Sequence, residues 1–162
     1  MSVFIIAEAG VNHNGSLRIA KKLIDVASQA EADAVKFQTF NSKKLVVNNL
    51  EKAMYQKYST KQSGSQLDML KKLEMSKETH LELIKYSKTK NIKFLSSPFD
   101  KDSTNLLHSL RLKIFKIPSG EITNLPYLRH IGKLNKKIIL STGMSNIKEV
   151  KNALNILINS GT

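Results

Sequence analysis

Phe115-Lys116-Ile117-Pro118-Ser119-Gly120-Glu121 is the stretch whose reading decides the fold. An apolar run from Lys113 to Ile117 stops at Pro118, and a lysine, a hydroxyl and a carboxylate gather where it stops. Strands buried on both faces read as near-continuous apolar runs, and a lysine inside one is costly unless it meets an anion. A second reading is available locally: Lys116 snorkels past the strand end and Glu121 opens a helix. The choice between them comes from the rest of the chain, because four other strand-like runs end in the same manner.

Val3 to Ala7 runs into Glu8 and the turn-rich Ala9-Gly10-Val11-Asn12-His13-Asn14-Gly15-Ser16. Ala34 to Phe40 carries Lys36 and Gln38 on one face, with Val35, Phe37 and Thr39 on the other. Ile92 to Leu95 leads into Ser96-Ser97-Pro98-Phe99, and Lys137 to Leu140 leads into Ser141-Thr142-Gly143-Met144. Between these runs lie helical patterns. Ser16 is a natural N-cap for a helix to about Ala30, with Ile19, Leu23, Val26 and Ala27 at helical spacing. A helix is predicted from Lys77 to Lys90 with Leu81, Leu83, Ile84 and Tyr86 as packing residues, then short helices over Asp102 to Leu110 and after Pro126. Ser145 is expected to cap a final helix, Ile147 to Asn159, stopped by Gly161. Asn41 to Lys72, with a polar centre at Ser59 to Ser65, is a long connection that reads either as a lid or substrate loop or as a decorative insertion.

Strand runs alternating with helices call for an α/β fold with parallel strands joined by crossovers. The two solutions are an open doubly wound sheet and an eight-stranded barrel, and in both the ligand groups collect at the strands' carboxyl ends. No Gly-x-Gly-x-x-Gly follows the first strand, which disfavours a dinucleotide-binding sheet. Polar groups at the same end of every strand favour a ring of loops around one site. The expectation is a TIM-type (β/α)8 barrel. Such a barrel takes eight strands and typically ~250 residues, whereas 162 residues supply five strand runs, so the barrel is expected to be incomplete, with about the first five βα units.

Composition narrows the function classes. The formal charge of +13 raises nucleic acid as a partner, but the lysines are scattered over helix faces (Lys21-Lys22, Lys71-Lys72, Lys88 and Lys90, Lys136-Lys137) rather than gathered with aromatics into a stripe. No nucleic-acid partner is expected. The absence of cysteine removes disulfides, thiolate metal sites and a thiol nucleophile, and it suits a cytoplasmic protein. No apolar run approaches the ~20 residues of a membrane helix, and the N-terminus reads as a strand, so no membrane partner is expected.

Five blocks, in order, resemble the sialic acid synthase family: Phe4 to Ser16, Val35 to Phe40, Ser97 to Asp100, Phe115 to Pro126 and Ile139 to Met144. The similarity covers essentially the whole chain. It implies an N-acetylneuraminate or N,N'-diacetyllegionaminate synthase, which condenses phosphoenolpyruvate with an N-acetylated hexose and releases phosphate. The pseudaminate branch departs from the Ser-Gly-Glu form seen here. The resemblance also implies that Lys36, Lys116, Ser119 and Ser141 hold the phosphate and carboxylate of phosphoenolpyruvate. Glu8, Gln38 and Glu121 would then lie by the sugar and the reacting carbon, Glu8 and Glu121 as the catalytic pair. A divalent metal, commonly manganese, would polarise the aldehyde, with its histidine ligands on later strands that match no position here.

Competing structural readings stand beside each residue. Glu8 could cap a helix end or simply pair with Lys36, Gln38 could fill a barrel layer, and Ser119 and Ser141 could satisfy loop backbone. His13 is read as ordering its loop rather than as a metal ligand, and His80, His108 and His130 as core or surface residues. The resemblance places residues 1–162 in the N-terminal portion of the barrel domain, with the remaining strands and a C-terminal antifreeze-like domain of a homodimeric enzyme absent. The alternative functions are a catalytically inactive fragment and a non-catalytic phosphate-ligand binder.

Overall fold

The computed structural model describes residues 3–46 and 65–162. Strand β1 (Ile6–Gly10) is followed by helix α1 (Leu17–Gln29), β2 (Ala34–Thr39), the short helices α2 (Ser42–Leu45) and α3 (Gln66–Lys71), and α4 (Lys77–Thr89). Then come β3 (Lys93–Pro98), α5 (Lys101–Ser109), β4 (Ile114–Ile117), a 3₁₀ turn (Ser119–Glu121), α6 (Leu125–Gly132), β5 (Lys137–Leu140) and α7 (Ile147–Ser160). Strands β1, β2 and β3 form one parallel sheet in that order, and β4 and β5 pair in parallel in a second. The α/β class and the parallel crossovers read from the sequence are both present.

Alternation along each strand divides its residues between two faces. Ala7 and Ala9 of β1 and Val35 and Phe37 of β2 pack with Ala20, Ile24 and Ala27 of α1 and Leu83 of α4. Phe115 and Ile117 of β4 pack with Tyr127, Leu128 and Ile131 of α6 and Ala153 and Leu157 of α7, and Ile138 and Leu140 of β5 lie against the same cluster. The helices therefore cover one face. The opposite, inner face receives Glu8, Lys36, Gln38, Leu95, Ser97, Lys116 and Ile139 by alternation and register.

Several boundaries differ from the sequence reading. β1 begins at Ile6 rather than Val3 and runs to Gly10, so Glu8 lies inside the strand. The ladder explains this: pairing with β2 starts at Ile6 opposite Ala34, and the positive φ of Gly10 ends it. β3 likewise continues through Ser96 and Ser97 to Pro98, since both serines pair with β2 residues. The buried side of α1 is Ala20, Ile24 and Ala27, while Val26 is 62% exposed. Small residues let that helix sit close on the sheet. On α4, Leu83 is buried, but Leu81 faces solvent and His80 takes the interior position. Asn146, not Ser145, caps α7, because its side chain accepts from the Glu149 N–H while Glu149 answers the Asn146 N–H in a capping box. The caps expected at Ser16 and Gly161 are in place. Much of the Asn41 to Lys72 connection, including Ser59 to Gly64 of its polar centre, lies outside the described residues.

The two sheets are joined through β3 and β4, which lie side by side. Tyr127 of α6 reaches across and donates its phenolic hydrogen to the Pro98 carbonyl at 2.7 Å, where β3 ends. Burial pushes the phenol's pKa well above its usual range, so the hydroxyl stays protonated.

Candidate active site

Lys36 is the centre of the inner face. It is only 7% exposed, and its ammonium forms an ion pair with Glu8 of the neighbouring strand. It also donates to the Ser97 hydroxyl across 3.4 Å. Register dictates both contacts. Glu8 lies opposite Lys36, and Ser97 lies opposite Gln38 two residues further along the same face. The Glu8 side chain is 53% exposed, so this carboxylate keeps a wet flank although it lies inside the strand.

Glu8 and Gln38 converge over Gly10. A Cβ on that glycine would stand 3.2 Å from Glu8 Oε1 and 3.7 Å from Gln38 Nε2. Gly10 also adopts a positive φ of 54°, so its lack of a side chain serves both the turn and the approach of these two polar groups.

Lys116 enters from the second sheet. It is half-buried and, among the described residues, has no salt-bridge partner. Its pKa lies below the ordinary lysine value, first because burial disfavours the ammonium, then because the Lys36 ammonium is near, with Glu8 opposing both. Lys36 and Lys116 therefore share one electrostatic neighbourhood. Among the described residues, two ammonium groups stand against one carboxylate there, which leaves a positive surplus for an anion.

Ser119 lies at the rim on the 3₁₀ turn, and a Cβ on Gly143 would stand 3.4 Å from its Oγ. The loop after β5 thus folds onto the loop after β4. The Ser141 N–H donates to the Ile117 carbonyl at 3.0 Å, which extends the β4–β5 pairing to the rim and fixes where Ser141 stands. Glu121 is held more locally: its Oε2 accepts from Asn124 Nδ2 at 2.6 Å. The structure brings Glu8, Lys36, Gln38 and Lys116 together, adds Ser119 and Ser141 at the neighbouring rim, and leaves Glu121 in a clasp within its own turn. Among the described residues no group of three His, Asp or Glu could hold a metal.

The sequence reading noted Ser97 only as a strand-end hydroxyl, yet it is the buried partner of Lys36. It also missed what lies behind the face. His80 Nδ1 lies 2.8 Å from the Ser76 carbonyl, so Nδ1 carries the proton and Nε2 is bare. Nε2 then accepts from the Thr39 hydroxyl at 2.8 Å, and Thr39 accepts from Ser96 at 2.7 Å. Period-2 alternation could have flagged it, since Thr39 and Ser96 fall on the helix-facing side where hydroxyls need partners. His13 is buried, and its Nδ1 accepts from the Gly15 N–H at 3.0 Å, so it orders the loop as expected.

The sequence matches the NeuB family over residues 23–162. The chain belongs to that family. It is 59% identical to N,N'-diacetyllegionaminic acid synthase of Campylobacter jejuni over 97% of the chain and 47% of that protein. With the synthase of the same name from Legionella pneumophila the figures are 50%, 95% and 43%. Among solved structures, the N-acetylneuraminic acid synthetase of Leptospira borgpetersenii superposes with a TM-score of 0.85 at 34% identity, over 99% of this chain and 51% of that one. The chain thus spans about half the length of the relatives it matches. Among the described residues, no helix is long and apolar enough to cross a membrane.

Proposed function

We infer that this chain carries the phosphate- and carboxylate-gripping part of a nonulosonic acid synthase, which joins phosphoenolpyruvate to an N-acetylated hexose. The observation that carries the reading is the shared inner face of Lys36 and Lys116, with Glu8 and Gln38 converging beside them. Phosphoenolpyruvate is a compact polyanion and calls for cations and donors fixed in advance. Lys36 and Lys116 supply the charge, and Ser119 and Ser141 supply hydroxyls at the rim. In the reaction, the methylene carbon of phosphoenolpyruvate bonds to the sugar's aldehyde carbon, and the aldehyde oxygen takes up a proton. Water adds to the former enol carbon and loses a proton, and the tetrahedral centre expels phosphate as its C–O bond breaks. Glu8, beside Gln38 and half in solvent, is our candidate to accept or deliver a proton. Glu121, held by Asn124 in the turn after β4, is proposed as the second carboxylate and would have to leave that clasp to act.

The two sheets are read as consecutive arcs of a (β/α)8 barrel, the first five βα units. The acceptor is proposed to be a diacetamido-trideoxyhexose, because the relatives at 59% and 50% identity are diacetyllegionaminate synthases; N-acetylmannosamine is the other candidate. The metal implied by the resemblance, manganese, would draw its ligands from outside the described residues, and no step above is assigned to it. The homodimer is likewise a proposal for the full-length enzyme.

Calorimetry tests the reading. Phosphoenolpyruvate should release heat on binding the chain, and Lys116→Ala should abolish it while leaving the circular dichroism unchanged. No heat with the parent chain, or undiminished binding in the variant, overturns the assignment. A second reading, a phosphate-ligand binder without turnover, is favoured by the ion pair that engages Glu8 with Lys36. It predicts the same heat but no phosphate release when the acceptor sugars are added.

A further inference from the structure

We propose that His80 is a positioning residue for the phosphoenolpyruvate site, acting from the opposite face of the sheet. It rests on the reading of Lys36, Gln38 and Ser97 as part of that site. The chain of hydrogen bonds behind the sheet has one polarity. A carbonyl can only accept, so the Ser76 oxygen fixes the proton on His80 Nδ1. The bare Nε2 then turns the Thr39 hydroxyl toward itself as donor, which leaves Thr39 Oγ1 to accept from Ser96. The three side chains of the chain are buried near the strands' carboxyl ends: His80 and Ser96 are fully inaccessible, and Thr39 is 4% exposed. None of these three side chains opens to solvent, so the order of donors cannot reverse by borrowing water.

The consequence falls on the inner face. Thr39 follows Gln38, and Ser96 precedes Ser97, and Gln38 and Ser97 are register partners across β2 and β3. A side-chain tie between Thr39 and Ser96, anchored to the start of α4 through His80, fixes the spacing of the two strand ends where Gln38 and Ser97 project the other way. Ser97 in turn receives the Lys36 ammonium. The imidazole therefore sets the geometry of the ammonium–hydroxyl–amide group without touching a ligand. Phe94 stacks on Phe37 with ring centres 5.4 Å apart and meets the His80 ring edge-on at 6.3 Å, which holds the imidazole plane.

Two substitutions separate this role from core filling. His80→Gln places an amide oxygen where Nε2 stands and keeps the acceptor for Thr39. His80→Asn places an amide nitrogen where Nδ1 stands, keeps the Ser76 bond and loses Thr39. Amide NMR of the ligand-free chain should show the Gln38 side-chain and Ser97 backbone signals unchanged in His80→Gln and displaced or broadened in His80→Asn. Titration with phosphoenolpyruvate should show near-parental affinity in the first and about tenfold weaker binding in the second. Thr39→Val, which keeps the shape and removes the hydroxyl, should behave as His80→Asn does and replaces it if that variant fails to fold. If the Gln and Asn variants perturb the Gln38 and Ser97 signals equally, or neither does, the positioning role is refuted. If the parent chain shows no heat with phosphoenolpyruvate, the phosphate-site reading falls instead, and the NMR comparison still decides whether His80 orders the strand ends.

Discussion

Tyr127→Phe probes how the two sheets are held together. The ring is 2% exposed, and phenylalanine fills the same volume, so no cavity cost enters. The change removes one hydroxyl whose hydrogen goes to the Pro98 carbonyl at 2.7 Å. That carbonyl sits in a buried contact at the end of β3, so losing the donor leaves an acceptor dry and unpaired. Such a group costs about 1–3 kcal/mol, more than the net worth of an ordinary exposed hydrogen bond. For a chain of this length each kcal/mol corresponds to roughly 2–4 °C in Tm, so the melting temperature should fall by about 2–12 °C. Urea unfolding followed by circular dichroism gives the free energy directly, and an unchanged m value would show that the compactness of both end states is preserved. A loss smaller than about 0.5 kcal/mol would place the effect among ordinary surface changes, and the clamp between α6 and β3 would have to be abandoned.

Three further outcomes follow from the same geometry. His13 and His80 both have pKa values lowered by burial, and the nearby His80 imidazole adds to the effect at His13. A histidine depressed in the folded state binds its proton more readily when unfolded, so stability should be flat above about pH 7 and fall as pH drops through about 6.5. Each tenfold difference in proton affinity between the folded and unfolded chain is worth about 1.4 kcal/mol. Urea midpoints that stay level or rise between about pH 6.5 and 5 would contradict this. Gly15→Ala should be severely destabilising, on the order of 2 kcal/mol or more, because φ is +76° and the new Cβ would stand 2.4 Å from the Lys72 carbonyl oxygen; a melting temperature matching the parent's would refute that close approach. Lys36→Met should raise the Lys116 pKa by removing a neighbouring like charge, although the freed Glu8 carboxylate contributes in the same direction. NMR titration of the Lys116 ε-methylene signals reads this change, and an unchanged or lowered value would separate the two lysines.

The strand that carries Lys116 and the one that carries Lys36 could both be recognised from the chain, because a cation inside an apolar run is a local anomaly. Alternation was equally legible: Lys36 and Gln38 share one face and Val35, Phe37 and Thr39 the other, as the core confirms. Strand ends were less so. β1 and β3 run three residues beyond their expected limits because ladder partners, rather than local propensity, decide where pairing stops. The interior place of His80 was also hidden, since its neighbours on α4 supplied more apolar candidates such as Leu81, and only contact with β2 and β3 chose between them.

By itself the sequence determined the α/β class, the parallel crossovers and the residue types at each carboxyl end, since these depend on periodicity and on the cost of burying charge. Only the tertiary structure decided who meets whom: that Glu8 pairs with Lys36, that Ser97 lies beneath the ammonium, and that Glu121 turns to Asn124. The physical reason is that these contacts join residues far apart in the chain or choose among equivalent local partners, and such distances are set by register and packing rather than by any pattern along one strand.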